Sequence, residues 1–364
     1  MKNRVQEFIL SGDDSEEAFN DIALQLFAYQ YEHNRPLRRY CRKRRVSPAR
    51  IAHYSEIPPV PIAAFKEATF SCCPPEEAGA VFMTSGTTNP HKRGKNYHLD
   101  LDIYDLSMKT HFKACVLPDV EQIKMAVLFP TEKEMPHSSL AHYLHTARQT
   151  FGAEGSIYVV GQKGFDLPAL IAFIQEAEQS GEPILLIGAT FSFIHFLDHC
   201  VEHELQFNLP AGSRVMDTGG SKGRSREMAP AEFKRQMSRL LSIPEYACVN
   251  MYGMTELSSQ FYDRHFSDKH KGNPIDDHKV GPHWVRTRVV NPETMAERKM
   301  GDKGILVHYD LANVNSVLAM MTEDIGLAEK QGFYLLGRAT GAEAKGCSLA
   351  VEQLMAAAKD ERWS

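Results

Sequence analysis

The segment Met83-Thr84-Ser85-Gly86-Thr87-Thr88-Asn89-Pro90-His91-Lys92-Arg93-Gly94 gathers hydroxyls, glycines and a Lys-Arg pair directly after an apolar run at 78–82 that reads as a strand. Hydroxyls and exposed backbone N–H groups donate to phosphate oxygens, and the two cations offset charge, so this is the inventory of a polyphosphate cradle. The spacing does not fit the Walker pattern GxxxxGK[ST]. Ser, Thr, Gly and Asn also build ordinary surface turns, and composition alone leaves both readings open.

Three later segments hold complementary chemistry. Asn250-Met251-Tyr252-Gly253-Met254-Thr255-Glu256 follows a strand expected over 247–250. The Thr255 hydroxyl suits a phosphate oxygen, the Glu256 carboxylate suits a hard cation such as Mg2+, and Tyr252 can stack on a base. The same residues fit a helix N-terminus with Thr255 as cap and Glu256 in the first turn. Asp217-Thr218-Gly219-Gly220 ends another strand, where adjacent glycines let a planar group lie on the backbone. Ligands in open α/β sheets favour this carboxyl-end position. Thr322-Glu323-Asp324 offers a carboxylate to ribose hydroxyls, and Phe333-Tyr334-Leu335-Leu336-Gly337-Arg338 ends on a guanidinium suited to phosphate.

These residues need rigid supports. Residues 1 to 55 read as helical, with Phe19, Ile22, Ala23, Leu26 and Phe27 at helical spacing. The prolines of 57–62 then force extended backbone. Buried strands are expected at 125–129, 156–160, 184–188 and 213–217, with helices at 167–178 and 190–204 between them, which is the pattern of a largely parallel α/β sheet. After residue 280 the texture changes to strands at 285–290, 304–309 and 332–336 separated by turn residues. The expected organisation is a helical segment 1–75, a nucleotide-binding α/β core 76–280, and a β-rich subdomain 281–364 with a short tail.

The 364-residue chain has a formal net charge of −5, which argues against bulk binding of nucleic acid. No apolar run is long enough to span a membrane, and the N-terminus lacks a signal-peptide core, so a cytoplasmic location is expected. The 7 cysteines form no CxxC pair and are odd in number, against a disulfide framework. His195, His199 and His203 share one helix face, but no HExxH accompanies them, and the reading is a solvated or partly buried face. The basic run Arg38-Arg39-Tyr40-Cys41-Arg42-Lys43-Arg44-Arg45 reads as solvated surface or as a contact for an acidic partner.

In this order, TSGTT, YGMTE, TED and FYLLGR resemble the signature of the adenylate-forming superfamily of acyl-CoA synthetases, luciferases and peptide-synthetase adenylation domains. Ile57-Pro58-Pro59-Val60-Pro61-Ile62-Ala63-Ala64-Phe65-Lys66-Glu67 and Gly346-Cys347-Ser348-Leu349 resemble its acyl-protein synthetase branch, which includes the fatty-acid-activating component of the bacterial bioluminescence reductase. The resemblance implies the large N-terminal domain of the adenylate-forming fold and an ATP- and Mg2+-dependent ligase. A carboxylic acid attacks the α-phosphate of ATP and releases pyrophosphate, and the acyl group then moves to Cys347 and onward to an acceptor protein, a reductase or carrier. It implies that Thr84, Ser85, Gly86, Thr87 and Thr88 hold phosphates with help from Lys92, that Thr255 bonds the α-phosphate, and that Glu256 binds Mg2+. Gly219, Gly220, Tyr252 and Gly253 would enclose adenine, Asp324 would bind ribose near Arg338, and His137 would lie near the acyl group. His137 reads equally as a helix-entry residue with a serine cap.

Two departures stand out. Asn89 replaces the usual glycine and the loop is one residue longer before Gly94. The lid domain that usually follows, with its catalytic lysine, has no counterpart by position; Lys92, Lys95 and Lys345 are the alternative cations. Two other functions stay open: an acyl- or aryl-CoA ligase, and a non-catalytic nucleotide-binding regulator.

Overall fold

Helix Glu16–His33 shows how the N-terminal pattern is used. Ser15 caps it by accepting from the Ala18 N–H, and Phe19, Ile22, Ala23, Leu26 and Phe27 form its buried stripe. Gln30 continues that stripe as a buried polar residue. It donates to the Asn313 carbonyl and accepts from the Leu318 N–H, both at 2.8 Å, so this helix is hydrogen-bonded to a loop far along the chain. Asn34 caps the next helix, Arg35–Lys43, whose Arg35 and Arg42 are exposed while Leu37, Tyr40 and Cys41 are buried.

The computed structural model describes residues 1–85, 93–219, 225–330 and 332–339. The chain forms two compact units: 1–108, 254–260 and 278–364 make the first, 109–253 and 261–277 the second. This interleaving cuts across the expected segments 1–75, 76–280 and 281–364. Chain texture is local, whereas the units are set by pairing between distant strands.

In the first unit, Val285–Val290, Lys303–Asp310, Ala319–Glu329, Gly332–Arg338 and Lys279–Val280 lie side by side, antiparallel throughout. Val60–Pro61 adds a short parallel strand against Met320 and Met321. The 11-residue strand Ala319–Glu329 is the spine of this sheet and went unread in the sequence. Its first residues are buried without alternation and its pairing shifts register on both sides, which blurs the period of two. A separate hairpin pairs Ala80–Met83 with Lys95–His98.

In the second unit the strand order is Phe261–Asp263, Cys248–Tyr252, Arg214–Thr218, Ile184–Ala189, Lys124–Leu128 and Ile157–Tyr158. All neighbours are parallel except the first pair, as the strand–helix alternation implied. Every residue of Ile184–Ala189 is buried, as a central parallel strand requires. The strand expected at 156–160 stops at Tyr158; Val160–Gly161 turns into its own hairpin with Gly164–Phe165, at a glycine with φ +99°. Buried Arg214 is held by Asp119 through two bonds of 2.6 and 2.8 Å, and its guanidinium lies 4.0 Å from the Phe266 ring centre. No described helix is long and apolar enough to cross a membrane.

Candidate active site

The Ala80–Met83/Lys95–His98 hairpin sets the geometry at the base of the hydroxyl-rich loop. Its register ends at Met83 opposite Lys95, and Thr84 then closes the stem. The Thr84 N–H donates to the Gly94 carbonyl at 3.0 Å, and the Gly94 N–H donates to Thr84 Oγ1 at 2.9 Å. The Thr84 hydroxyl therefore fixes the loop's base. Ser85 is exposed at the loop's start, and its carbonyl accepts from Arg93. Gly86, Thr87, Thr88 and Lys92 lie outside the described residues, as do Lys345 and Cys347.

Glu256 meets this stem. Residues Thr255 and Glu256 form a turn between strands, so the helix-cap reading of this motif is excluded. Glu256 is only 6% exposed. A Cβ on Gly94 would stand 3.6 Å from Glu256 Oε1, an ordinary contact, and 3.2 Å from Thr84 Cγ2, a tight one, so the carboxylate lies against the stem and the crowding at Gly94 is with Thr84. Burial pushes the Glu256 carboxyl up to about 7, opposed in part by the positive charge of Arg338 and Lys66, while Glu323 adds to the rise. Among the described residues no cation pairs directly with it.

Arg338 stands at the end of its strand, opposite Asp324 in the antiparallel register. Its Nη1 lies 2.8 Å from Glu323 Oε2 and its Nε lies 3.2 Å from Asp324 Oδ1. Asp324 is buried while Arg338 is largely exposed, an arrangement in which a polyanion could compete for the guanidinium and free the aspartate. Thr84, Ser85, Thr255, Glu256, Asp324 and Arg338 thus belong to one unit, with the charge of Arg338 acting on Glu256 at a distance. Lys66 and Glu323 were missed as site residues. Lys66 lies in the segment that marked the acyl-protein synthetase branch, and Glu323 is the middle residue of TED, so each had a signal that went unused.

Gly219 and Tyr252 belong to the second unit. Strands Arg214–Thr218 and Cys248–Tyr252 are parallel with Thr218 beside Met251, so Gly219 and Tyr252 leave adjacent carboxyl ends. Gly219 has φ +81°, a conformation that favours glycine, and its neighbour Gly220 is outside the described residues. Tyr252 is buried against Phe261, their ring centres 5.7 Å apart. Gly253 closes this unit before Met254 begins the stretch that belongs to the first. His137 is exposed on the turn before helix Ser139–Phe151, which Ser138 caps.

A second cluster in the same unit escaped the sequence reading. Asp263, His265 and Asp277 bring metal-type ligand atoms within 4.8 Å of one another. The Lys234 ammonium sits among them, 3.0 Å from Asp263 Oδ2, 2.9 Å from Asp277 Oδ1 and 3.1 Å from His265 Nδ1. Burial alone would lower the Lys234 pKa, but the two carboxylates outweigh it and hold the amine above its ordinary value. The cluster already encloses a cation of its own. Among the described residues no other such group occurs, and the three histidines of helix Thr190–Glu202 and its end form none.

The family model described as "Acyl-protein synthetase, LuxE" matches residues 4–356. The chain belongs to this acyl-protein synthetase family. It is an ATP-dependent ligase of the adenylate-forming kind, which activates a carboxylic acid as an acyl-adenylate and hands the acyl group to protein. Among curated proteins, this acyl-protein synthetase is 21% identical over 327 residues to a long-chain-fatty-acid–luciferin-component ligase of Aliivibrio fischeri, covering 88% of the chain and 82% of the relative. It is 22% identical over 347 residues to the protein of the same description from Vibrio harveyi, covering 92% and 87%. Among solved structures, 2-hydroxyisobutyryl-CoA ligase in its postadenylation state, in complex with 2-HIB-AMP, superposes with a TM-score of 0.68 at 14% identity, covering 89% of the chain and 67% of that ligase. At that identity the likeness establishes the fold, that of adenylate-forming ligases, as the ordered motifs implied.

Proposed function

We propose that the activated acid is a long-chain fatty acid, that Glu256 is the Mg2+ ligand, and that Cys347 receives the acyl group before it passes to a partner protein. The observation that carries the metal assignment is the buried Glu256 carboxylate beside the Thr84–Gly94 stem, with Arg338 acting on it electrostatically. A carboxylate is the hard oxygen donor Mg2+ takes, and this one has no cation of its own among the described residues, so the donor fits the ion. When bound, Mg2+ would draw charge from the phosphate oxygens of the substrate ATP.

The chain's own groups do the rest. Thr255 donates to the α-phosphate, and Arg338 turns from Glu323 and Asp324 toward phosphate while Asp324 accepts from the ribose hydroxyls. Ser85, Gly86, Thr87, Thr88 and Lys92 hold the pyrophosphate portion. Gly219, Gly220, Tyr252 and Gly253 flank adenine, and His137 lies on the acyl side. The acid's carboxylate oxygen forms the new bond to the α-phosphorus as the bond to pyrophosphate breaks. In the second step the Cys347 thiolate attacks the acyl carbonyl and AMP leaves. Catalysis rests on positioning and charge neutralisation.

The relatives described as long-chain-fatty-acid–luciferin-component ligases support a fatty substrate and a protein acceptor. The test is incubation with ATP, Mg2+ and radiolabelled hexadecanoate. A hydroxylamine-sensitive label on the protein, lost in Cys347→Ala with acyl-adenylate formation retained, is expected. Label kept by that variant overturns the Cys347 role, and label appearing on free CoA in preference to protein overturns the acceptor assignment.

A further inference from the structure

The segment that carries Thr255 and Glu256 has little ladder structure of its own. It forms a turn at 255–256 and a bend at 258–259. A buried carboxylate that no cation among the described residues pairs with favours motion that returns it to water. Something must oppose that relaxation, and three side chains grip the segment's main chain.

Asn96 Nδ2 donates to the Thr255 carbonyl at 3.1 Å, from the hairpin that also carries the Thr84–Gly94 stem. Asn313 Nδ2 donates to the Glu256 carbonyl itself at 2.9 Å, and Asn313 Oδ1 accepts from the Ser258 hydroxyl. Asp310 Oδ2 accepts from the N–H groups of Ser258 at 3.0 Å and Ser259 at 2.8 Å. Asp310 Oδ1 accepts from Ser259 Oγ at 2.8 Å and from the Ala312 N–H at 3.0 Å. Trp284 completes the shell by donating to Ser259 Oγ at 3.0 Å. Asp310 is fully buried, and its hydrogen-bond partners among the described residues include no cation.

We propose that Asp310, Asn313 and Asn96 are positioning residues that hold the Glu256 carboxylate buried and aimed at its metal. The proposal rests on the assignment of Glu256 as Mg2+ ligand. A core residue needed only for packing would not be charged at this place. Asp310 is fully buried and answered by four donors, three of them on Ser258 and Ser259 just beyond Glu256, a pattern that packing does not explain. What the carboxylate adds is a pair of acceptors on one oxygen for two successive N–H groups. That pairing sets the direction in which the chain leaves Glu256.

The experiment uses the full chain and the variants Asp310→Asn, Asn313→Asp and Ser258→Ala, the last two serving if the first does not fold. Amide hydrogen exchange of the segment 254–260, followed by mass spectrometry without Mg2+ or substrate, reads how firmly the turn is held. In the folded variants exchange of that segment is expected to speed up about tenfold or more while the rest of the chain is unchanged. Hexadecanoate-dependent ATP–pyrophosphate exchange is expected to show half-saturating Mg2+ raised about tenfold, with the KM for ATP at saturating Mg2+ changed less than about twofold. A merely structural role would loosen the turn or lower the active fraction and leave the Mg2+ midpoint where it was. That result in a folded variant overturns the proposal. Wild-type exchange that is independent of Mg2+ overturns the Glu256 assignment and the positioning role with it.

Discussion

Glu256 in the first unit and Asp263 in the second are both carboxylates taken out of water, at 6% and 2% exposure, and they meet opposite fates. Asp263 is answered from inside: the Lys234 ammonium lies 3.0 Å away, and the Asn250 N–H donates to its other oxygen at 2.9 Å. Among the described residues Glu256 is answered only by the more distant charges of Arg338 and Lys66, and burial drives its carboxyl up to about 7. An internally answered carboxylate is part of the scaffold, whereas one held buried without a partner is stored demand for a cation from outside. By residue types alone the first cluster looks more like a metal site, having two carboxylates and an imidazole. The position of one lysine reverses that ranking.

The comparison breaks most sharply at Lys234. Lys234→Ala leaves Asp263 buried without its cation and is expected to cost about 3–5 kcal/mol of unfolding free energy, read from denaturant melts. A chelator should leave the wild-type melt unchanged in the absence of substrate. Stability of Lys234→Ala equal to wild type would mean that Asp263 is answered some other way.

Glu256 should show the reverse sign. Its folded pKa is raised above the unfolded value, so its contribution is fully present below about 4.3 and is lost as pH rises through about 7. The loss is on the order of 3 kcal/mol between those limits for the ligand-free protein, and Asp310, raised to about 6, adds to it with the same sign. Glu256→Gln should flatten the pH dependence of the melting temperature and be more stable than wild type at pH 8. An unchanged slope in that variant would show that Glu256 is not the titrating group.

The same variant should lose on the order of 10²-fold in hexadecanoate-dependent ATP–pyrophosphate exchange, since a neutral amide is a poor ligand for Mg2+. More stable and less active together is the signature of a strained functional carboxylate, and activity retained within a few fold would remove Glu256 from the site. The smallest effect is expected at Lys66, an exposed residue that acts only at a distance. Lys66→Ala should move the Glu256 titration slightly upward and nothing else; a downward shift would contradict the electrostatic picture.

Legibility followed the range of the forces involved. The parallel core was readable because continuous apolar runs such as Ile184–Ala189 and their helical spacers are local patterns. The strand Ala319–Glu329 was not, because its burial is imposed by neighbours on both sides and its register shifts twice. Thr84, Glu256, Asp324 and Arg338 could be named as candidates because motif order points to them. Asn96, Asp310 and Asn313 could not: nothing in the segments around them signals that side chains at 96 and at 310–313 converge on the turn at 255–259.

Sequence alone determined the kind of chemistry: the family, the use of ATP, the strand-end placement of the glycines and Tyr252, and the acid that follows Thr255. Those are properties of residue type and order, which the chain carries unfolded. The tertiary structure decided which acid is available. Charge–charge and desolvation energies depend on distance and burial, and only folding sets Lys234 among Asp263, His265 and Asp277 while leaving Glu256 buried beside Gly94.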